Sequence, residues 1–421
     1  MQRGKSPPVI PWKPMRQERP MLSFVLLMLL CFWFGLWQGQ TEAMAPSAPS
    51  QNQFEGGAVE PLVKEQTQSM DTAQVEEYWN KLMQQYKGYF PDNRTPSFTD
   101  MLVPGGDGFS ISSLLRGFIN YFLHEILVSG KLLASIVILT VFSMLLETLQ
   151  SAFEKNAVSK IGYAIAYLVL MIIAVNSFSI AIGYAKTAIS GMIHFMMAMV
   201  PLLLTMLASM GSLQTVAVLH PLFVFMIHAV GTLIYVVVFP LLFLSGVLHI
   251  VSSFSDRYKV TQLANFMRTV SVGILGVLVT VFLGVLTVQG AGGAVTDGVT
   301  LRTAKYVTSN FVPVVGRMFS DATDTVIGAS LLIKNAVGVA GVVILIFLCA
   351  FPAIKILTLA VIYNLSAAVL QPLGTSPIVG CLEVIGKNLI YVFAALAVVG
   401  LMFFLAITML IAAGNVALMM R

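Results

Sequence analysis

The stretch N-F-V-P-V-V-G-R-M-F-S-D-A-T-D-T-V-I-G-A-S-L-L-I-K-N-A-V-G (310–338) runs directly into V-A-G-V-V-I-L-I-F-L-C-A-F-P-A-I-K-I-L-T-L-A-V-I-Y (339–363). The second half decides the fold. A helix needs about 20 apolar residues to cross the hydrocarbon core of a bilayer, and 339–363 supplies them with Lys355 as its one charge. The first half raises the functional question, because Arg317, Asp321, Asp324 and Lys334 crowd together beside a segment made for lipid.

Similar apolar runs occupy 131–150, 161–183, 222–251, 268–289 and 388–413, and a seventh, Met-rich run at 189–211 contains Pro201. Of the 421 residues, 57% are hydrophobic and 10% are charged, with a mean hydropathy of +0.86. Soluble domains average about 25% charged residues. The expectation is an all-α, polytopic helical membrane protein with six to seven transmembrane helices. A net charge of +5, dispersed along the chain, gives no basis for nucleic-acid binding. The three cysteines (Cys31, Cys349 and Cys381) form no CxxC pair, so neither a zinc site nor a redox motif is indicated.

The chain divides into four parts. Residues 1–45 read as a signal peptide or signal anchor: a basic start (Arg3, Lys5, Lys13, Arg16, Arg19) precedes the apolar run at 21–37, with cleavage exits after Ala43 or Ala45. Residues 46–110 read as an extracytoplasmic linker followed by an amphipathic helix. In that helix Val75, Tyr78, Trp79, Leu82, Met83 and Tyr86 recur at helical spacing, Asp71 can cap the start, and Gly88 and Pro91 end it. So short a helix cannot bury its own apolar face, and docking on the rest of this chain is the first expectation. Residues 111–130 read as an interfacial helix and 131–421 as the membrane domain.

Within the membrane domain, the loops at 151–164 and 253–266 share an acid beside a base, then a V-S-K-I or V-T-Q-L step. The first two helix pairs are each followed by a Val-Pro step, Val200-Pro201 or Val312-Pro313, and a third pair, 339–363 and 388–413, closes the chain. The pattern predicts a repeat of helix pair plus broken or re-entrant segment, and such paired interruptions point to a transport path. With 46–130 outside, the loops holding Lys155, Lys160, Arg257, Lys259 and Lys387 fall inside, in accord with the positive-inside rule.

From Gly316 the opening stretch has helical spacing, which sets Arg317, Asp321, Asp324 and Gly328 along one stripe. An exposed Arg317–Asp321 pair at i, i+4 contributes only about 0.2–0.5 kcal/mol. One charge at the centre of a span costs about 2.5–3.5 kcal/mol. The stripe therefore faces water, a cavity or a partner. Its candidate path-lining or subunit-contact residues are Pro201, Pro313, Arg317, Asp321, Asp324, Gly328 and Lys334. No Walker A loop, catalytic triad or metal-ligand spacing occurs: G-A-G-G-A-V (290–295) fails the dinucleotide fingerprint, and the five histidines are scattered. The chain reads as a non-enzyme without a cofactor or metal.

Together, N-F-V-P-V-V-G and S-D-A-T-D-T-V-I-G-A-S-L-L-I-K-N-A-V-G (320–338), the run S-G-K-L-L-A-S-I-V-I-L-T-V-F-S-M-L-L-E-T-L-Q-S-A-F-E-K (129–155) and W-N-K-L-M-Q-Q-Y (79–86) closely resemble the stage III sporulation protein AE family of endospore-forming bacteria. The resemblance implies a multi-pass protein of the mother-cell membrane around the forespore. It implies partnership with the other stage III A-operon proteins, with stage II sporulation protein Q and with a separate ATPase, in a channel or secretion-like complex that supports forespore gene expression after engulfment. The rival expectation, from the residues alone, is a self-contained secondary transporter of a small solute. A structural scaffold without a conduit is a third.

Overall fold

The computed structural model describes residues 73–89, 111–152, 157–254, 260–311, 315–373 and 377–419, which belong to one compact unit. The signal-like start, the 46–70 linker, the 104–110 loop and Pro313 lie outside the described residues. Among the described residues the fold is almost wholly helical, with no strand. The helices are α1 (Ala73–Tyr86), α2 (Ile111–Val128), α3 (Gly130–Ala152), α4 (Ala157–Ser209), α5 (Leu213–Leu233), α6 (Phe239–Phe254), α7 (Thr261–Phe311), α8 (Val315–Leu370) and α9 (Pro377–Met419). A π-helical turn (Ile234–Val238) joins α5 to α6.

Five stretches are long and apolar enough to cross a membrane: 164–209, 213–253, 261–288, 327–370 and 378–413. The α2–α3 pair, bent by 42° at Ser129, makes a sixth. The polytopic all-α reading is therefore what the chain adopts, and the protein is a membrane protein. One expectation fails. Val200-Pro201 does not break its segment, because Pro201 lies inside the continuous 53-residue helix α4. Apolar surroundings explain this: with no water competing for backbone groups, a membrane helix tolerates proline while neighbours and side chains satisfy the freed groups. Just beyond the proline, Thr205 and Ser209 donate to the carbonyls of Leu202 and Met206. The apolar runs 161–183 and 189–211 thus merge into one helix, and the proposed repeat loses its first break.

The reversal comes instead at Gly211, the positive-φ glycine (φ 88°) that a left-handed helix end requires. Gly211 N–H donates to Ala208 O and Ser212 N–H to Leu207 O, closing the last turn of α4. The π turn has an equally local cause. Pro240 follows two residues later, lacks an N–H and would press its ring on the carbonyl four residues back. The carbonyl of Val238 instead accepts from Ser271 Oγ of α7 at 3.1 Å.

Helix α8 packs between α4 and α9. Against α4 the partners are Ser177 with Tyr363, Tyr184 with Lys355 and Met199 with Gly341, so the two run antiparallel. Against α9 they are Asn364 with Gly386, Cys349 with Gly400 and Ile411 with Gly338, antiparallel again. Glycine permits this approach: a Cβ at Gly338 would meet Ile411 Cγ1 at 2.5 Å, and one at Gly400 would overlap Cys349 Sγ. Helices in lipid associate through such packing and hydrogen bonds, since lipid tails match leucine in polarity.

The close approach carries a measurable cost when it is blocked. Gly400→Ala should destabilise the detergent-solubilised protein by about 1–3 kcal/mol, the usual range for overpacking. Adding Cys349→Ala, which removes the opposing sulfur, should recover part of the lost Tm. Equal Tm values for parent and Gly400→Ala would refute the packing account.

Candidate functional site

The stretch that poses the functional question is neither re-entrant nor separate. Residues 315–338 form the first turns of α8, which continues unbroken for 56 residues. The helix backbone sets positions 317, 321, 324 and 328 in one register. That register continues through Leu332 and Val339, which are 48% and 57% exposed. The side chains of Arg317, Asp321 and Asp324 lie outside the described residues. Gly328 is half-buried and faces open space. Met199 lies opposite Gly341, so the end of α4 near Met210 faces roughly residue 330 of α8. At 1.5 Å per residue, the start of α8 runs about 20 Å past the α4–α5 turn.

Lys334 parts from this group. It belongs to a different register and its side chain is fully buried. Its ammonium donates to the backbone carbonyl of Ile411 on α9 at 2.8 Å. A buried charge is costly unless paired or hydrogen-bonded. Among the described residues neither ion pair involves Lys334, since these are Lys81–Glu77 and Lys387–Glu383. The adjacent Asn335 Oδ1 is buried and has no hydrogen-bond partner. Pro201 falls in the register opposite residues near Gly338. The structure thus places Pro201 and Lys334 in the packed body, while positions 317–324 belong to the first turns of α8.

The amphipathic helix docks on its own chain, as its spacing predicts. Val75, Trp79, Leu82, Met83 and Tyr86 of α1 are all buried. Trp79 stacks with Phe347 at a centroid distance of 6.2 Å, Tyr86 stacks on Phe351 at 3.6 Å, and Tyr78 meets Phe195 edge-on at 5.6 Å. Phe118 and Tyr121 of α2 press on the same two α8 phenylalanines. Burial first, and then the nearby Glu125, push the Tyr86 phenol up to about 12, so it stays neutral at any physiological pH. The outer face of α1 carries the exposed Glu77–Lys81 pair at 2.8 Å. Trp79 is the centre of this contact, and large aromatic-to-alanine changes cost about 3–5 kcal/mol. Trp79→Ala should therefore expose 73–89 to protease in the folded protein while Trp79→Phe stays protected. Equal cleavage of parent and Trp79→Ala would show that the stack does not hold α1.

A polar cluster that the spacing did not reveal lies where α6 turns back into α7. His249 Nδ1 is 2.8 Å from Ser245 O, and its Nε2 is 3.1 Å from Asn265 Oδ1. Arg268 Nη2 donates to the same Oδ1 at 2.7 Å, and its guanidinium lies over the Tyr391 ring of α9 at 4.9 Å. Ser245 Oγ donates to Ala264 O at 2.8 Å. Asn265 and Arg268 are one turn apart, but His249 lies across the hairpin, where no local pattern joins it to them. Among the described residues no group of three His, Cys, Asp or Glu could hold a metal ion.

These features belong to a recognisable chain. A family model described as "Stage III sporulation protein AE" matches residues 94–414. A curated protein named "Stage III sporulation protein AE", from Bacillus subtilis (strain 168), is 50% identical over 362 residues, covering 86% of this chain and 90% of that protein. No solved structure matches. The matched span takes in α2 to α9 nearly whole, including the opening stretch and the His249 cluster, and on that coverage and identity the chain belongs to the stage III sporulation protein AE family.

Proposed function

We propose that this chain is the membrane subunit of a channel or secretion-like complex between mother cell and forespore, needed for sporulation after engulfment and for forespore gene expression. The supporting observation is 50% identity to a stage III sporulation protein along nearly the whole chain. In this reading it sits in the mother-cell membrane around the forespore. Its partners are the other stage III A-operon proteins and stage II sporulation protein Q, and a separate ATPase supplies the energy. The sequence has no nucleotide-binding loop of its own, which suits a role as platform or gate rather than motor or enzyme. The start of α8 suits subunit contact, because positions 317, 321 and 324 share one helical register and charges there need water or a partner. Lys334, Gly328, Pro201 and Pro313 are the proposed supporting positions.

Charge reversal tests the contact. Asp321→Lys or Asp324→Lys should lower heat-resistant spore yield at least tenfold while membrane levels of the protein stay at parent values. Parental yield in both variants would leave the stripe merely solvated. A second measurement separates the reading from a self-contained transporter. Purified from sporulating cells, the protein should bring down the A-operon proteins. Solute uptake by the chain alone in liposomes, with no co-purifying partner, would overturn the subunit reading.

A further inference from the structure

The α4–α5 hairpin has two unlike surfaces at one level. Both helices belong to stretches long and apolar enough to span a membrane, 164–209 and 213–253. They run antiparallel from the turn at Gly211, with Ile193 against Gly231 and the Tyr235 hydroxyl donating to Lys186 O. Early on α4 one outward row is aliphatic, and Ile165, Leu168 and Ile172 are exposed there. Followed along the helix at steps of three and four, the same row becomes Gly183, Thr187, Ser190 and His194, then Pro201 and Thr205, none of them buried. No Leu, Ile, Val, Phe or Met stands in that row from 183 to 208. Tyr235 of the π turn interacts with Ser190 and so joins this row to one on α5. Counted back from Tyr235 at the same steps come Thr232, His228, Pro221 and Gln214, all exposed. The side of α5 turned away from α4 carries exposed Val218, Phe225 and Leu233 instead.

Lipid accounts for the Phe225 side and not for the other. Acyl chains offer nothing to hydroxyls and imidazoles, and polar groups that face them are costly. Helix–helix interfaces in membranes have this composition: small residues let backbones approach, and Ser, Thr and His bond across. His228 Nδ1 lies 2.9 Å from Val224 O, which can only accept, so Nε2 is the ring atom left for a group outside its own helix. The symmetry of the face indicates what covers it. The antiparallel register puts His194 level with His228, Ser190 with Thr232 and Pro201 with Pro221. Imidazole stands beside imidazole, hydroxyl beside hydroxyl, proline beside proline. A two-fold axis along the helices sets α4 against α5 of another copy, so each of these levels meets its like. A foreign helix has no reason to repeat that order. Neither row holds Asp, Glu, Lys or Arg, so identical faces bring no like charges together. From Gly183 to Thr205 the row is about 33 Å long. At about 10 Å per helix the face covers about 660 Å², and stable interfaces bury about 600–1,000 Å² on each partner.

We propose that a second copy of this chain packs on this face, forming a four-helix bundle in which His194 and His228 of both copies meet at one level. The contact joins identical chains. It is separate from the α8 contact with other proteins and does not depend on which complex the chain joins.

Cross-linking of full-length chains tests it, in membranes of a host that makes no other sporulation protein. Cys31, Cys349 and Cys381 are replaced by alanine, and two differently tagged copies are co-expressed, one with Thr187→Cys and one with Thr232→Cys. Both changes keep the histidines and nearly keep side-chain size. Oxidation with copper phenanthroline should give at least tenfold more covalent mixed dimer than the pairing of Thr187→Cys with Leu233→Cys, which differs by one residue but points away from α4. Equal yields from the two pairings, or no mixed dimer from either, would overturn the proposal. So would labelling of the Thr187→Cys and Thr232→Cys chains by a membrane-impermeant thiol reagent without cross-linking, which would make the face a water-lined wall. Unmutated copies give a readout independent of any variant's folding: one tag should bring down the other from the same membranes, and its failure to do so would exclude the second copy.

Discussion

A backbone N–H in hydrocarbon has no water to bond with, and most of this molecule follows from that. Each peptide group must be satisfied within its own helix, so spanning segments are helical and reversals fall where the chain can close its ends. At Gly211 two backbone hydrogen bonds close α4 before the chain turns back. The same constraint keeps α4 helical through Pro201 and shifts the strain of Pro240 into a π turn whose carbonyl Ser271 satisfies. Lipid gives helices no hydrophobic reason to associate, so the bundle holds through close approach instead. Gly338 and Gly400 let α9 press on α8, and that contact positions Lys334 against Ile411 O.

Helix length sets the next question. The continuous apolar stretches of α4, α8 and α9 run 46, 44 and 36 residues, about 54–69 Å at 1.5 Å per residue. The hydrocarbon core is about 30 Å thick. Half of each helix must therefore be screened by something besides acyl chains. For α8 part of that screen is visible: α1 and α2 cover Phe347 and Phe351 near its middle. The polar marks cluster at the same level. Lys355 lies over Tyr184, Tyr235 donates to Lys186 O, and the π turn and Arg268 follow around the bundle through Ser271 and Tyr391. The outer face of α1 beside this level carries the exposed Glu77–Lys81 pair.

Much of this was legible in the sequence because it depends on local period and composition. The apolar runs located every spanning helix, and the spacing from Val75 to Tyr86 gave the buried face of α1, with Tyr78 half-buried at its edge. What was not legible depends on context. Proline reads as a break when water can take up the freed carbonyl, and Pro201 sits where it cannot. Lys334 looked like a member of the charged stripe because it is near in sequence, yet helical register turns it into the α8–α9 contact. The His249 cluster joins residues from three helices, and no spacing within one helix encodes that.

The separation of Lys334 from positions 317–324 bears on what the stripe can be. Had all four charges faced one cavity, a conduit through this single bundle would have been the economical account. Lys334 is instead enclosed and occupied by a carbonyl, while the stripe's register continues onto the outward Leu332 and Val339. A row that is charged at its far end and apolar nearer the bundle is a surface that changes solvent along its length. The apolar part matches lipid or another helix, and the charged part needs water or a complementary subunit. One pair on an exposed helix contributes a few tenths of a kcal/mol, so stability of the isolated chain gives no reason to keep Arg317, Asp321 and Asp324 in register. The proposed contact with another chain would supply one, because complementary charges set orientation and exclude wrong partners even where they add little affinity.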